Sequence, residues 1–113
     1  MSQITTHVLD VSIGRPAFGV LVVLEIGMPP SGWKELGRGL TDADGRLNHL
    51  LAADLLVEGV YRLIFDTSSY FKPRNVSALY PRVTVEFEVR DHKAHYHIPL
   101  LLSPFAYSTY RGS

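Results

Sequence analysis

The feature that most narrows the choice of fold is the run Arg82-Val83-Thr84-Val85-Glu86-Phe87-Glu88-Val89-Arg90, in which every second side chain is apolar and the others are charged or hydroxylic. Side chains of an extended strand point alternately to opposite faces, so this run reads as a strand with one face in a core and the other in water. The segment Phe18 to Ile26 puts Phe18, Val20, Val22, Leu24 and Ile26 on one face, and Val60 to Asp66 groups Tyr61, Leu63 and Phe65. Between such segments stand Gly14-Arg15-Pro16, Met28-Pro29-Pro30-Ser31-Gly32, Asp42-Ala43-Asp44-Gly45, Glu58-Gly59 and Asp91-His92-Lys93, all residues that turn the chain. Turns every roughly ten to fifteen residues suit an antiparallel sandwich or barrel better than a parallel sheet with crossover helices.

Strands are expected near 4–11, 18–26, 33–40, 47–50, 59–66, 81–90, 94–102 and 104–110. The one helical signal is Asp66-Thr67-Ser68-Ser69-Tyr70-Phe71-Lys72, where a capping carboxylate opens about two turns that Pro73 stops. Ala52 to Val57 is ambiguous. A chain of 113 residues has room for one domain with a continuous core, read here as 1–113.

The composition excludes several function classes. Apolar runs fall far short of the ~20 residues of a membrane-spanning helix. Eleven basic side chains balance eleven acidic ones, leaving no net field to gather nucleic acid or anionic lipid, so a small neutral partner fits better. Without cysteine there is no disulfide, thiolate nucleophile or zinc-thiolate site. Strand-like sequence from about Ile4 leaves no room for a cleavable signal, and a cytoplasmic location is expected.

Chemistry concentrates in three places. In Ala94 to Leu102, Tyr96, Ile98, Leu100 and Leu102 alternate with His95, His97, Pro99 and Leu101. If the first set packs the core, both histidines share the outer face, where imidazole is tuned for proton transfer near neutrality. His7 stands in Ile4 to Asp10, whose pattern does not decide which face is inside. Three histidines could hold zinc, but no recognised ligand spacing is present, and neither metal nor cofactor is expected.

Asp42-Ala43-Asp44-Gly45-Arg46 lacks the alternate carboxylates of a calcium loop and reads as a turn, with Arg46 just beyond it able to clamp a carbonyl or cyclic urea. His49 and His92 read as solvated residues beside turns. The C-terminal Tyr110-Arg111-Gly112-Ser113 would, if ordered, bring phenol, guanidinium, hydroxyl and carboxylate to one spot.

His95-Tyr96-His97-Ile98-Pro99-Leu100-Leu101-Leu102-Ser103-Pro104 with the terminal Tyr110-Arg111-Gly112-Ser113 resembles the signature of the transthyretin-related 5-hydroxyisourate hydrolases. Thr6-His7-Val8-Leu9-Asp10 followed by Gly14-Arg15-Pro16-Ala17 is similar to the family's second signature, and the resemblance spans essentially the whole chain. It implies an all-β, transthyretin-like sandwich of two four-stranded sheets with one short helix, assembled as a homotetramer (a dimer of dimers) with sites in a channel where dimers meet. The family's functional positions fall on His7, Arg46, His97 and Tyr110 to Ser113. His95 belongs to the motif without an assigned role.

The implied reaction opens 5-hydroxyisourate to 2-oxo-4-hydroxy-4-carboxy-5-ureidoimidazoline in urate breakdown. Lacking a thiol or a recognisable nucleophilic serine, the chain is expected to attack the cyclic amide with an activated water. His7, Arg46, His97 and Ser113 are the expected catalytic set, and His7, Arg46, Tyr110, Arg111 and Gly112 the substrate-binding set. Which histidine acts as base stays open at this point. Two rival readings remain: a non-catalytic small-ligand carrier like transthyretin, and a structural or adhesion sandwich domain whose tail would be dispensable.

Overall fold

The structure, a computed structural model, describes residues 2–52 and 54–113. Alternation sorts its strands into two facing sheets. One is ordered β4 (Trp33–Leu40), β3 (Leu21–Gly27), β6 (Gly59–Asp66), β7 (Val83–Val89), all antiparallel. In the other, β1 (Ile4–Asp10) lies beside β8 (Tyr96–Leu102), which in turn pairs with β9 (Tyr107–Thr109). The free side of β1 is shared by two short strands. β5 (Arg46–Leu47) covers Thr6 and His7, and β2 (Arg15–Pro16) covers Leu9 and Asp10. The chain forms the expected all-β sandwich, but with five strands in one sheet and four in the other rather than four in each, because two short strands share the free edge of β1.

Between the sheets, Val20, Val22 and Leu24 meet Tyr61, Leu63 and Phe65 from one side and Ile4, Val8, Ile98, Leu100 and Leu102 from the other, all buried. Each comes from the apolar half of an alternating strand, and each buried aliphatic side chain contributes about 1.5–3 kcal/mol.

Several boundaries differ from the expectation. Phe18 does not join the core face: it sits in a turn tied to Thr41 by Gly19 N–H (3.0 Å), is 60% exposed, and the strand starts at Leu21. Arg15–Pro16, expected only to break structure, forms β2; proline is tolerated there because the strand lies at a sheet edge. The strand expected at 47–50 shrinks to β5. That expected at 104–110 shrinks to β9, because Ser103 N–H closes a turn on the Ala106 carbonyl (2.9 Å). The described residues of 52–57 take neither helix nor strand; Ala53 lies outside the described residues.

The helix α1 (Thr67–Phe71) opens where Asp66 accepts the Ser69 N–H (3.1 Å), and a single 3₁₀ turn holding Pro73 ends it. Its buried Tyr70 donates to Asp10 Oδ2 at 2.8 Å, while Oδ1 accepts from Ser12, so the buried carboxylate at the end of β1 is satisfied. Burial, and next the bond to Asp10, push the Tyr70 phenol up to about 12.

Gly45 closes the turn that delivers Arg46 to β1. Its φ is +76°, and a Cβ there would run into the Val8 carbonyl oxygen. We therefore expect Gly45→Ala to lower stability by about 2 kcal/mol or more, read by urea denaturation at fixed protein concentration. A variant as stable as the parent would contradict this account of the turn.

Candidate active site

β1 and β8 run parallel, with Thr5 opposite His97 and His7 opposite Pro99. Because Ile98 and Leu100 point inward, His97 is left on the outer face of the sheet. His7 occupies the same face of β1, and the β5 pairing sets Arg46 directly beside it. Three residues more than 35 positions apart in sequence thus gather through backbone register alone.

The His95 and His97 rings lie nearly parallel, with centroids 6.3 Å apart and planes 13° apart. Thr5, which the sequence reading passed over, stands between them: its Oγ1 is 3.1 Å from His95 Nε2 and 2.8 Å from His97 Nδ1. Thr5 is buried, His97 half-buried and His95 exposed. Threonine is commonplace in strands, so its type gave no signal; only its alternation with His7 put it on this face.

The terminal segment is held down rather than frayed. Gly112 N–H donates to the His97 carbonyl (2.7 Å) in an antiparallel bridge. A Cβ at Gly112 would meet His97 Cδ2 at 2.6 Å, so only glycine lets the tail lie across the ring. Arg111 donates to the His95 carbonyl (3.1 Å), but its guanidinium stacks over Tyr96, 4.4 Å from the ring centroid. Tyr110 and Arg111 line the cleft between β7 and β8 with Glu86, Phe87 and Tyr96. Within one chain, then, His7, Arg46, His97 and Gly112 come together, whereas the Tyr110 and Arg111 side chains turn to the sheet edge. Ser113 is exposed just past the bridge.

Electrostatics favour a neutral imidazole at His97. Burial, chiefly, and then the neighbouring His95, His7 and Arg46 charges hold it below the usual histidine range. A neutral ring keeps a lone pair for proton abstraction, and Arg46 nearby can stabilise negative charge on an oxygen. Among the described residues, no group of three or more His, Cys, Asp or Glu is arranged to hold a metal ion. A cleft of about 490 Å³ between Met28–Trp33 and Glu58–Val60 has Glu58 as its one ionisable lining residue and shares nothing with the histidine face. His49 is exposed, and His92 is 3.8 Å from Glu58 on the surface.

Residues 4–112 match the family model described as HIUase/Transthyretin family. The chain is 44% identical over 110 residues to a 5-hydroxyisourate hydrolase of Salmonella dublin, covering 97% of this chain and 80% of that protein. It is 43% identical over 113 residues to the mouse (Mus musculus) 5-hydroxyisourate hydrolase, covering 99% and 96%. Among solved structures, Klebsiella pneumoniae 5-hydroxyisourate hydrolase superposes with a TM-score of 0.83 at 34% identity, over 97% of this chain and 98% of that one. Transthyretin from Sparus aurata superposes with a TM-score of 0.91 at 31% identity, over 99% and 97%.

A histidine whose neutral form is favoured by the fold adds stability that is complete above its unfolded pKa and is lost as the pH falls through its folded one. The His97 ring should therefore titrate by NMR with a midpoint below 6.5, and His95→Gln should move that midpoint upward. A midpoint at or above 6.5 would refute this electrostatic picture.

Proposed function

The chain belongs to the HIUase/transthyretin family, and on that premise we propose that it is a 5-hydroxyisourate hydrolase of urate breakdown, a single domain over 1–113 that opens a cyclic amide with water. One observation carries the reading to particular residues: His7, Arg46 and His97 share one outer sheet face, and Gly112 lies across His97.

In this mechanism a water held between His7 and His97 attacks a ring carbonyl of 5-hydroxyisourate. His97 takes the water's proton as the C–O bond forms, an assistance typically worth about 10²–10⁴ in rate. Surroundings that favour its neutral form support this role. Arg46 faces the oxyanion that develops, an interaction whose loss commonly costs about 2.7–4 kcal/mol. The C–N bond then breaks, the proton returns from His97 to the departing nitrogen, and 2-oxo-4-hydroxy-4-carboxy-5-ureidoimidazoline leaves. Ser113 orients the water through its hydroxyl or carboxylate, while Tyr110, Arg111 and Gly112 bind substrate and fix the tail. No cofactor takes part.

The same reading includes a homotetramer, a dimer of dimers with sites in the channel between dimers, located in the cytoplasm. Two features support assembly. β7 and β9 are outer strands that border one cleft, and a row of unpaired strand groups is a template for a second chain. Val11, Leu79 and Phe105 are more than half exposed, and hydrogen bonds from Val11 to Leu102 and from Leu79 to Pro104 tie their loops to one end of β8. Apolar exposure of that kind marks an interaction surface. No described helix is long and apolar enough to cross a membrane.

The test generates 5-hydroxyisourate in situ from urate with urate oxidase and follows its ultraviolet decay with and without this protein. We expect acceleration that survives chelator, falls about 10²–10⁴-fold in His97→Asn, and is lost when residues 110–113 are removed. No acceleration by folded protein, together with tight thyroxine binding, would move the assignment to a carrier. Sedimentation should give a tetramer whose activity falls as it dissociates on dilution; a fully active monomer would overturn the shared channel.

A further inference from the structure

One hydroxyl proton lies between two imidazoles. Thr5 Oγ1 is within hydrogen-bond distance of both His97 Nδ1 and His95 Nε2, and a hydroxyl can donate only once while its lone pairs accept. Both rings could donate to the oxygen's two lone pairs, but Thr5 is buried and among the described residues its Oγ1 bonds no third group, so its own proton would then lack an acceptor; one ring therefore donates to the oxygen and the other accepts from it. Only two arrangements satisfy this. In the first, His97 carries its proton on Nδ1 and donates to Thr5, which donates to His95 Nε2. In the second, His95 donates from Nε2 to Thr5, which donates to His97 Nδ1, so that neutral His97 carries its proton on Nε2.

The two arrangements differ in what His97 can do. Its Nδ1 is occupied by Thr5 in both, so Nε2 is the nitrogen left for a substrate or water. In the first arrangement Nε2 is bare and can take a proton. In the second it already holds one, and the ring cannot act as a base there.

We propose that Thr5 is a positioning residue for the hydrolytic step: with His95 as acceptor, its hydroxyl holds the His97 proton on Nδ1 and keeps Nε2 bare to receive the proton of the attacking water. The inference rests on the hydrolase reading for its consequence, because it is base catalysis by His97 that selects the first arrangement. It also gives His95 a role, as the terminal acceptor that orients the hydroxyl. The backbone supports the arrangement. Register places Thr5 opposite His97, Thr5 itself is buried, and Arg111 and Gly112 hold the carbonyls of His95 and His97 in place. The proton count closes without any further group: His97 gains one proton at Nε2 from water, passes it to the departing nitrogen, and keeps the Nδ1 proton throughout.

The experiment joins long-range ¹H–¹⁵N NMR of the histidine rings with steady-state kinetics on the assembled protein. In the parent at neutral pH, His97 should report a protonated Nδ1 and an unprotonated Nε2. Thr5→Val removes the hydroxyl at nearly constant volume and should give a mixture of the two His97 forms, with kcat lowered about 10- to 100-fold and KM changed far less. Thr5→Ser, which restores a hydroxyl, should recover most of both. In His95→Phe the Thr5 proton is released toward His97 Nδ1, and the Nε2-protonated form should grow.

A parent His97 protonated on Nε2 would overturn the proposal even if Thr5→Val failed to fold, and so would unimpaired kcat in folded Thr5→Val. If the parent does not hydrolyse 5-hydroxyisourate at all, the functional reading fails separately. The ring spectra would still decide the hydrogen-bond arrangement.

Discussion

The parallel pairing of β1 with β8 is the contact on which the rest of this molecule depends. Ile4 to Asp10 runs beside Tyr96 to Leu102 in unbroken register, so one backbone ladder joins the first and last thirds of the chain. The same ladder buries Ile4, Val8, Leu100 and Leu102 on one side and sets His7, His95 and His97 on the other. Slipping it by one residue would turn every side chain of the moved strand to the opposite face. Core and histidine face are therefore set by one register. Buried groups reinforce it at both ends of β1: the Thr6 hydroxyl donates to the Ile98 carbonyl, and Asp10 is bonded by Tyr70.

Alternation carried most of the fold. Residues 83–89 and 59–66 read correctly because their patterns obey the strand period over many residues, whereas 33–40 forms a strand without regular alternation, its pairing with β3 skipping Leu36 at a register shift. Short strands were less legible. Arg15–Pro16 and Arg46–Leu47 exist only because β1 has a free edge for them, and two residues carry no period of their own. Phe18 had the right spacing and still faces solvent, since a turn intervenes before the strand begins.

The site was legible unevenly. The outward placement of His95 and His97 followed from the apolar neighbours of β8. His7 beside Arg46 came from family resemblance and needed the β1–β5 register to become a physical contact. Thr5 was invisible to both routes, because its significance is a matter of two distances across strands about 90 positions apart. Tyr110 and Arg111 were expected to join the histidines, yet both line the cleft at the sheet edge, and Arg111 reaches the histidine strand only through the His95 carbonyl.

The span of the β1–β8 ladder also bears on how the molecule comes into being. Contacts between distant residues require a long loop to close before they return any stabilisation, and chains dominated by them fold slowly. Thr5 meets His97 across 92 positions, whereas β3 with β4 and β6 with β7 are joined by nearer neighbours in sequence. The β3–β4–β6–β7 sheet can thus organise during synthesis while Ile4 to Asp10 still waits for its partner. During that interval the edge of the first strand that β8 will cover stays open, and Thr5 and the histidine face come together only when that edge is closed.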